Sequence, residues 1–155
     1  MHASRKQWNA AIAPADESRL DALARLGCKL WPENDKKAMR EEFRELLASD
    51  RDAVFVADLD GQTVGFVHVS LRTDYVEGAA SSPVGFVEGL YVDETFRRGG
   101  IARALITACE KWAKSRGCRE LGSDTGLDDV PGQLFHLKAG FREARRLVAY
   151  IKTIE

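Results

Sequence analysis

The chain has 155 residues, 45% of them apolar, and its 23 basic and 24 acidic residues give a formal net charge of −1. This length and apolar content predict one globular domain over residues 1–155 with a full hydrophobic core. The scattered, balanced charges argue against a nucleic-acid-binding face, and no apolar run reaches the roughly 20 residues that span a bilayer. Residues 1–7 are polar and lack the apolar stretch of an export signal, and the three cysteines lack CxxC spacing. These features favour the cytoplasm and argue against a metal site. Because neither nucleic acid nor a membrane is expected to bind, the predicted partner is a small molecule.

The first third of the chain carries two helical patterns. Leucines recur at helical spacing after Asp16 and Ser18, either of which suits an N-cap, and predict a helix near 16–29. A second apolar stripe, on an otherwise charged segment, predicts a surface helix near 36–48.

Strand patterns follow. Two β-rich runs, 53–59 and 63–71, flank an Asp-Gly pair at 60–61 that favours a hairpin turn. A loop rich in small and polar residues, 72–83, leads to a third run at 84–92.

The last third returns to mixed patterns. A helical pattern begins at residue 100 and is ended by Gly117, a strand is expected at 119–123, and a short helix at 133–138. Residues 141–154 favour two final strands. This order predicts an α/β (mixed α+β) fold in which a mixed sheet is covered by helices on both faces.

The segment between the third strand and the long helix carries the strongest functional signal. Arg97-Arg98-Gly99-Gly100 opens that helix, and glycines let a ligand approach the backbone where the unpaired first-turn N–H groups and the positive dipole end converge. These features predict an anion site. The alternative is an ordinary strand-to-helix turn with solvated arginines. Neither a GxxxxGK[ST] nor a GxGxxG motif is present, which excludes the two commonest phosphate loops.

The pattern Arg97-x-x-Gly100-x-Ala102 resembles the [Q/R]xxGx[G/A] signature of the GNAT acetyltransferases, and Gly140-Phe141 resembles their late Gly-Phe element. The resemblance implies a mostly antiparallel sheet with parallel fourth and fifth strands, and acetyl-CoA as cosubstrate. It implies that backbone amides near the turn bind the CoA pyrophosphate and that the preceding strand pairs with the pantetheine arm. The implied CoA-binding residues are Leu90, Tyr91, Val92, Arg97, Arg98, Gly99, Gly100, Ile101 and Ala102.

Four further segments resemble one branch of the aminoglycoside 6'-N-acetyltransferases. They are Leu-Trp-Pro-Glu at 30–33, Ser-Pro-Val-Gly-Phe-Val-Glu-Gly at 82–89, Ser-Asp at 123–124 and Leu-Asp at 127–128. The resemblance implies a polycationic amine substrate, acetylation of its 6'-amino group, antibiotic resistance as the outcome, and a homodimer.

Two carboxylates are the main candidates for the acceptor site. Glu88 lies inside an otherwise apolar strand, where a charge is costly unless it is paired or faces a cleft; the alternative is a surface carboxylate. Asp124 follows a strand at its carboxyl end, where α/β sheets commonly bind ligands; the alternative is a capping aspartate.

Three weaker substrate-binding candidates complete the set. Trp31 offers either a flat wall for a sugar ring or a core contact. Tyr75 lies in the loop expected to border the cleft, with a solvent-exposed role as its alternative. Glu143 keeps one acid in the tail, although the neighbouring Arg145 and Arg146 could weaken or redirect polycation binding.

Acetyl transfer to an amine needs a base, stabilisation of the carbonyl oxygen and a proton for the departing thiolate. Asp124 or Glu88, directly or through water, would take the ammonium proton, and a strand N–H such as that of Leu90 would meet the developing oxyanion. Four residues before the Gly-Phe pair, the family commonly has a tyrosine that acts as the general acid, whereas this chain has His136. Catalysis, binding and structure all remain open for His136.

Two other functions stay open from the sequence. One is an acetyltransferase for another amine, such as a polyamine, a small metabolite or a protein N-terminus, which the tail arginines favour. The other is a CoA-binding module without turnover, which only His136 favours. A ping-pong mechanism through Cys109 is disfavoured because that residue falls on the packed stripe of the long helix.

Overall fold

The computed structural model describes residues 6–155; residues 1–5, most of the polar N-terminal stretch, lie outside the described residues. One five-stranded sheet runs in the order β1-β2-β3-β4-β5, antiparallel except for the parallel pair β4–β5. This confirms the mixed, mostly antiparallel sheet. The strands are β1 (Ala11–Pro14), β2 (Asp52–Leu59), β3 (Gln62–Arg72), β4 (Val84–Val92) and β5 (Leu121–Ser123).

Within residues 6–155, four α-helices flank the sheet, α1 and α2 on one face and α3 on the other, which confirms the prediction of helices on both faces. The helices are α1 (Leu20–Leu30), α2 (Lys36–Ala48), α3 (Ile101–Ser115) and α4 (Val130–Lys138). The alternation of strand side chains sorts the core into two layers: Val54, Val56 and Phe66 pack against α1 and α2, whereas Val67 and Val69 pack against α3.

The predicted helices and the hairpin at 60–61 are confirmed within a few residues, and β1 was not predicted. The run Ala11–Pro14 is short, alanine-rich and ends in a proline, so it lacks the β-branched alternation that marks a strand. A terminal proline is tolerated because β1 lies at the sheet edge.

The two strands expected in 141–154 are wrong. The structure assigns no strand after β5 within the described chain, and every residue from 142 to 155 is exposed. A β-rich segment becomes a strand only with a hydrogen-bonding partner, and no segment of residues 6–155 supplies one.

The register between β3 and β4 places a β-bulge at Glu88. In the β3–β4 pair, His68 lies opposite Gly89 and Val69 opposite Val87, so Glu88 is an extra residue without a partner across the ladder. Such a β-bulge bends the strand and redirects side chains, and bulges are frequent beside active sites. None of the helices in residues 6–155 combines the length and apolar character needed to cross a membrane.

Candidate active site

The parallel strands β4 and β5 diverge after three residues of pairing. The last paired residues are Val87 and Ser123, and from Glu88 to Val92 the β5 side of β4 has no strand partner within residues 6–155. Backbone N–H and C=O groups require hydrogen-bond partners, so this edge can pair with an extended ligand. The predicted pantetheine-binding residues Leu90, Tyr91 and Val92 lie on this stretch.

The turn after β4 presents backbone donors at the start of α3. Gly100 is the N-cap residue with φ of 92°, a left-handed conformation that favours glycine, and Arg98 shares it with φ of 62°. The first amides of α3 have no intrahelical partner and point out of the helix start. The Arg97 side chain donates from Nε to the Val92 carbonyl at 2.7 Å, which fixes the turn to the end of β4. The arrangement fits a phosphate group.

Glu88 is held by two neighbours on β3. Its Oε1 accepts from Ser70 Oγ at 2.7 Å and from Arg72 Nε at 2.9 Å, and its Oε2 accepts from Arg72 Nη2 at 2.8 Å. Burial by itself raises the pKa of Glu88, but the hydrogen bonds from Arg72 and Ser70 and the charge of Arg72 outweigh it and lower that pKa below its ordinary value. Glu88 is therefore an ionised acceptor.

Arg72 connects Glu88 to an open cleft of about 710 Å³. The guanidinium lies 3.5 Å from the centroid of the Phe86 ring and lines the cleft, whereas Glu88 lies behind it and does not. The cleft is bordered by β5, α4, the loop before β4 and the tail.

Asp124 lies in this cleft directly after β5 and is exposed. No side-chain hydrogen bond or ion pair to Asp124 forms within the described part of the chain, so its carboxylate is available to a ligand. Tyr75 and Glu143 line the same cleft. Tyr75 is 76% exposed and donates to Glu77 Oε2 at 3.1 Å.

The two tail arginines are paired with acids rather than free. Arg146 Nε lies 2.5 Å from Glu143 Oε1, and Arg145 Nε lies 3.4 Å from Glu77 Oε2. Their charges are therefore partly neutralised at the rim of the cleft.

His136 bridges α4 and β5. Its Nδ1 donates to the Gly132 carbonyl at 2.6 Å, and its Nε2 lies 2.8 Å from Ser123 Oγ. Because a carbonyl can only accept, Nδ1 carries a hydrogen, and Nε2 of the neutral ring accepts from the Ser123 hydroxyl. Ser123 and His136 both line the cleft.

Trp31 sits at the end of α1 over the centre of β4. Its ring lies 6.3 Å from that of Phe66, and a Cβ at Gly89 would come within 2.6 Å of the indole. Gly89 thus admits Trp31 next to the bulge. Trp31 packs against the core from outside and does not line the cleft.

A model of the acetyltransferase (GNAT) family matches residues 20–141 of this chain. The chain belongs to the GNAT acetyltransferase family. Its relatives include an aminoglycoside N(6')-acetyltransferase type 1 of Serratia marcescens, 45% identical over 144 residues that cover 92% of this chain and 99% of the relative. An enzyme of the same name from Salmonella typhimurium is 39% identical, with 91% and 97% covered.

Solved GNAT structures agree with this fold along nearly the whole chain. The aminoglycoside N-acetyltransferase AAC(6')-Iy in complex with CoA superposes with a TM-score of 0.91 at 37% identity, covering 94% of this chain and 96% of that one. The same enzyme with a bisubstrate analogue, CoA-S-monomethyl-acetylneamine, gives 0.90 at 37% identity, covering 94% and 99%.

The structure groups the predicted GNAT site residues into three places. Residues 90–92 and 97–102 form the strand edge and turn, and Tyr75, Asp124, His136 and Glu143 share the cleft. Glu88 lies on β4 and Trp31 packs over that strand from the end of α1, and neither lines the cleft. Sequence reasoning missed Ser70 and Arg72. Their two-residue spacing places both on one face of β3, opposite the strand that carries Glu88, and this spacing was the available signal.

One nucleophilic side chain, the thiol of Cys109, is unsuited to the chemistry. Burial, with a smaller effect of Glu110, raises the pKa of Cys109 to about 12, so this thiol does not ionise at neutral pH. Within residues 6–155, no cluster of three or more His, Cys, Asp or Glu side chains could hold a metal ion.

Proposed function

We propose that this chain transfers the acetyl group of acetyl-CoA to the 6'-amino group of aminoglycosides, by direct attack of the amine while both substrates are bound. Two relatives named for this activity match more than nine-tenths of the chain. The observation that carries the proposal is Asp124, an exposed carboxylate without a bonded partner in residues 6–155, placed where β5 leaves β4. Acetylation removes a positive charge from the drug, and antibiotic resistance is the proposed outcome.

The donor site is the unpaired half of β4 together with the turn that follows it. Acetyl-CoA supplies the activated acyl group. The amides near Gly100 and the start of α3 would bind the pyrophosphate, and the edge from Glu88 to Val92 would hydrogen-bond the extended pantetheine arm. A backbone N–H of this edge, such as that of Leu90, would stabilise negative charge on the acyl oxygen.

We propose different tasks for the two carboxylates. A carboxylate has about four lone-pair sites, and three of those on Glu88 are occupied by Ser70 and Arg72, which leaves one on Oε2. With a lowered pKa, Glu88 is a weak base, so we assign it the orientation of an ammonium group that reaches past Arg72 from the cleft. Asp124, whose oxygens have no competing protein partner in residues 6–155, takes the proton from the amine, directly or through water.

The proton for the departing thiolate is proposed to come through Ser123. When Nε2 of His136 is protonated, it donates to Ser123 Oγ, and the hydroxyl hydrogen of Ser123 is then available to the departing thiolate. Ser123 is opposite Val87, at the point where the strands diverge, and it lines the cleft. A histidine can thus perform the step through a hydroxyl relay.

The tail supports a homodimer. It exposes a run of large apolar side chains, and β5 presents an outer edge that no strand of residues 6–155 covers. Exposed apolar strands and open sheet edges are characteristic sites of pairing between chains. We propose that the tail of one protomer pairs along β5 of its partner. The exposed residues are Leu147, Val148, Tyr150, Ile151 and Ile154.

We further propose that residues 1–155 act as one domain in the cytoplasm. Continuous packing of both helix layers on one sheet supports the first point. The free thiols of all three cysteines are compatible with the second.

The test uses purified protein, acetyl-CoA and kanamycin or tobramycin, with release of free thiol as the readout and the same drug without its 6'-amine as the control. We expect release that requires the 6'-amine. Release with both drugs would contradict the regiochemistry. CoA binding without release on any aminoglycoside would contradict the aminoglycoside substrate and favour the two alternatives, another amine or CoA binding without turnover.

A further inference from the structure

Residues 6–8 form a strap across the phosphate-binding turn that no motif indicates. The Trp8 backbone N–H donates to the Gly99 carbonyl at 3.0 Å. The Trp8 ring lies edge-on against Phe96, 5.0 Å between centroids, and so fixes the strap to the segment that leads into the turn.

The strap leaves room for no side chain at Gly99. A Cβ built there would overlap the Trp8 ring and come within 3.0 Å of the Lys6 carbonyl oxygen. Gly99 is buried and, unlike Gly100, has no left-handed backbone that would call for glycine. Close approach of Trp8 is therefore the physical reason for a glycine at this position.

The hydrogen bond to Gly99 fixes the orientation of the next amide. In a planar trans peptide, the C=O and the following N–H point in opposite directions. Because the Gly99 carbonyl points at the strap, the Gly100 N–H points away from it. That N–H has no acceptor within residues 6–155, and it belongs to the group of donors at the start of α3.

We infer that the strap, anchored by Trp8, is a positioning element that holds the Gly99–Gly100 peptide with its N–H directed at the CoA pyrophosphate. This inference rests on the donor site proposed above. Trp8 acts from the carbonyl edge of this peptide, opposite the edge whose N–H would meet the pyrophosphate. Without it, the peptide is free to rotate, and the ligand loses one pre-oriented donor to a charged oxygen.

The test compares wild type with Trp8→Ala and Gly99→Ala by CoA titration calorimetry. Each substitution is expected to weaken CoA binding about 10-fold, the value of roughly one hydrogen bond to a charged group. In the Trp8→Ala background, Gly99→Ala should add little, because the ring that would overlap the new methyl is gone and the strap, no longer anchored, can relax the 3.0 Å contact at the Lys6 carbonyl. Trp112→Ala is the matched control, since Trp112 packs against the same core but lies on α3 away from the turn.

A second readout separates positioning from loss of structure. Turnover with S-acetylpantetheine, which lacks the pyrophosphate, should be equal in wild type and Trp8→Ala, while kcat/KM for acetyl-CoA falls. Unchanged CoA affinity in both variants, or equal losses with both donors, would overturn the inference. If wild type binds CoA but acetylates no aminoglycoside, the proposed substrate fails, and the CoA titrations still decide the role of the strap.

Discussion

The donor side of the site uses backbone hydrogen-bonding groups, whereas the acceptor side uses side-chain carboxylates. On the donor side, the backbone of β4 and of the turn provides the hydrogen-bonding groups. The Arg97 side chain and the backbone N–H of Trp8, whose ring packs on Phe96, hold that backbone in place. On the acceptor side, carboxylates presented by different elements line or flank the cleft, each fixed or left free by its neighbours. A backbone site depends on conformation and a side-chain site on chemical identity, so substitutions should affect the two sides in different ways.

The largest effect is expected on the acceptor side at Asp124. Asp124→Asn keeps the size but removes the base, and kcat with kanamycin should fall about 100-fold or more, within the usual range for general-base removal. KM for acetyl-CoA should stay near its wild-type value. Asp128→Asn is the matched control, because it removes an exposed charge four residues away. Equal losses of kcat in both variants would show that the negative charge of the region matters in general, and would contradict the role of Asp124 as the base.

Substitutions of Arg72 and Glu88 should have non-additive effects on kcat/KM if Arg72 acts through Glu88, and additive effects if Arg72 is only structural. Arg72→Gln alone is expected to lower kcat/KM for the drug about 10-fold, since it frees the carboxylate that orients the amine. In a Glu88→Gln background the same substitution should have little further effect. If Arg72→Gln costs as much in both backgrounds, its stacking on Phe86 is what matters, and the positioning role is contradicted.

The proposed relay predicts a smaller, shared effect. Ser123→Ala and His136→Gln should each lower kcat about 5-fold, because water partly replaces a lost proton donor. The double variant should be no worse than the more severe single one, since both residues serve one step. Multiplicative losses, measured as kcat at saturating substrates, would show that the two residues act separately.

The smallest effect concerns stability against acid. The folded-state pKa of Glu88 is lowered, so its contribution is complete above the ordinary carboxyl pKa and is lost as pH falls through the folded value. Urea unfolding of wild type and Glu88→Gln should therefore differ most near neutral pH, with the difference shrinking below about pH 4. A difference that grows on acidification would contradict the lowered pKa.

The sequence predicted the backbone turn of the donor side well and the side-chain contacts of the acceptor side poorly. The turn at 97–102 was readable because few residue types permit a left-handed N-cap, and the hairpin because Asp-Gly specifies a turn. The partnership of Glu88 with Arg72 and Ser70 depends on a strand register that includes a bulge, which periodicity does not encode. The tail was given two strands from its β-rich composition alone, and that prediction failed because strands also need a partner.

The most direct test of this division is a crossed binding measurement on two variants, with CoA and kanamycin titrated separately into each. Gly100→Ala forces a side chain into the left-handed N-cap, which costs about 1–2 kcal/mol, and it should weaken CoA binding while leaving kanamycin affinity unchanged. Asp124→Asn should do the reverse. If either variant weakens both ligands equally, the donor and acceptor sides are not built separately, and the division between a backbone site and a side-chain site is wrong.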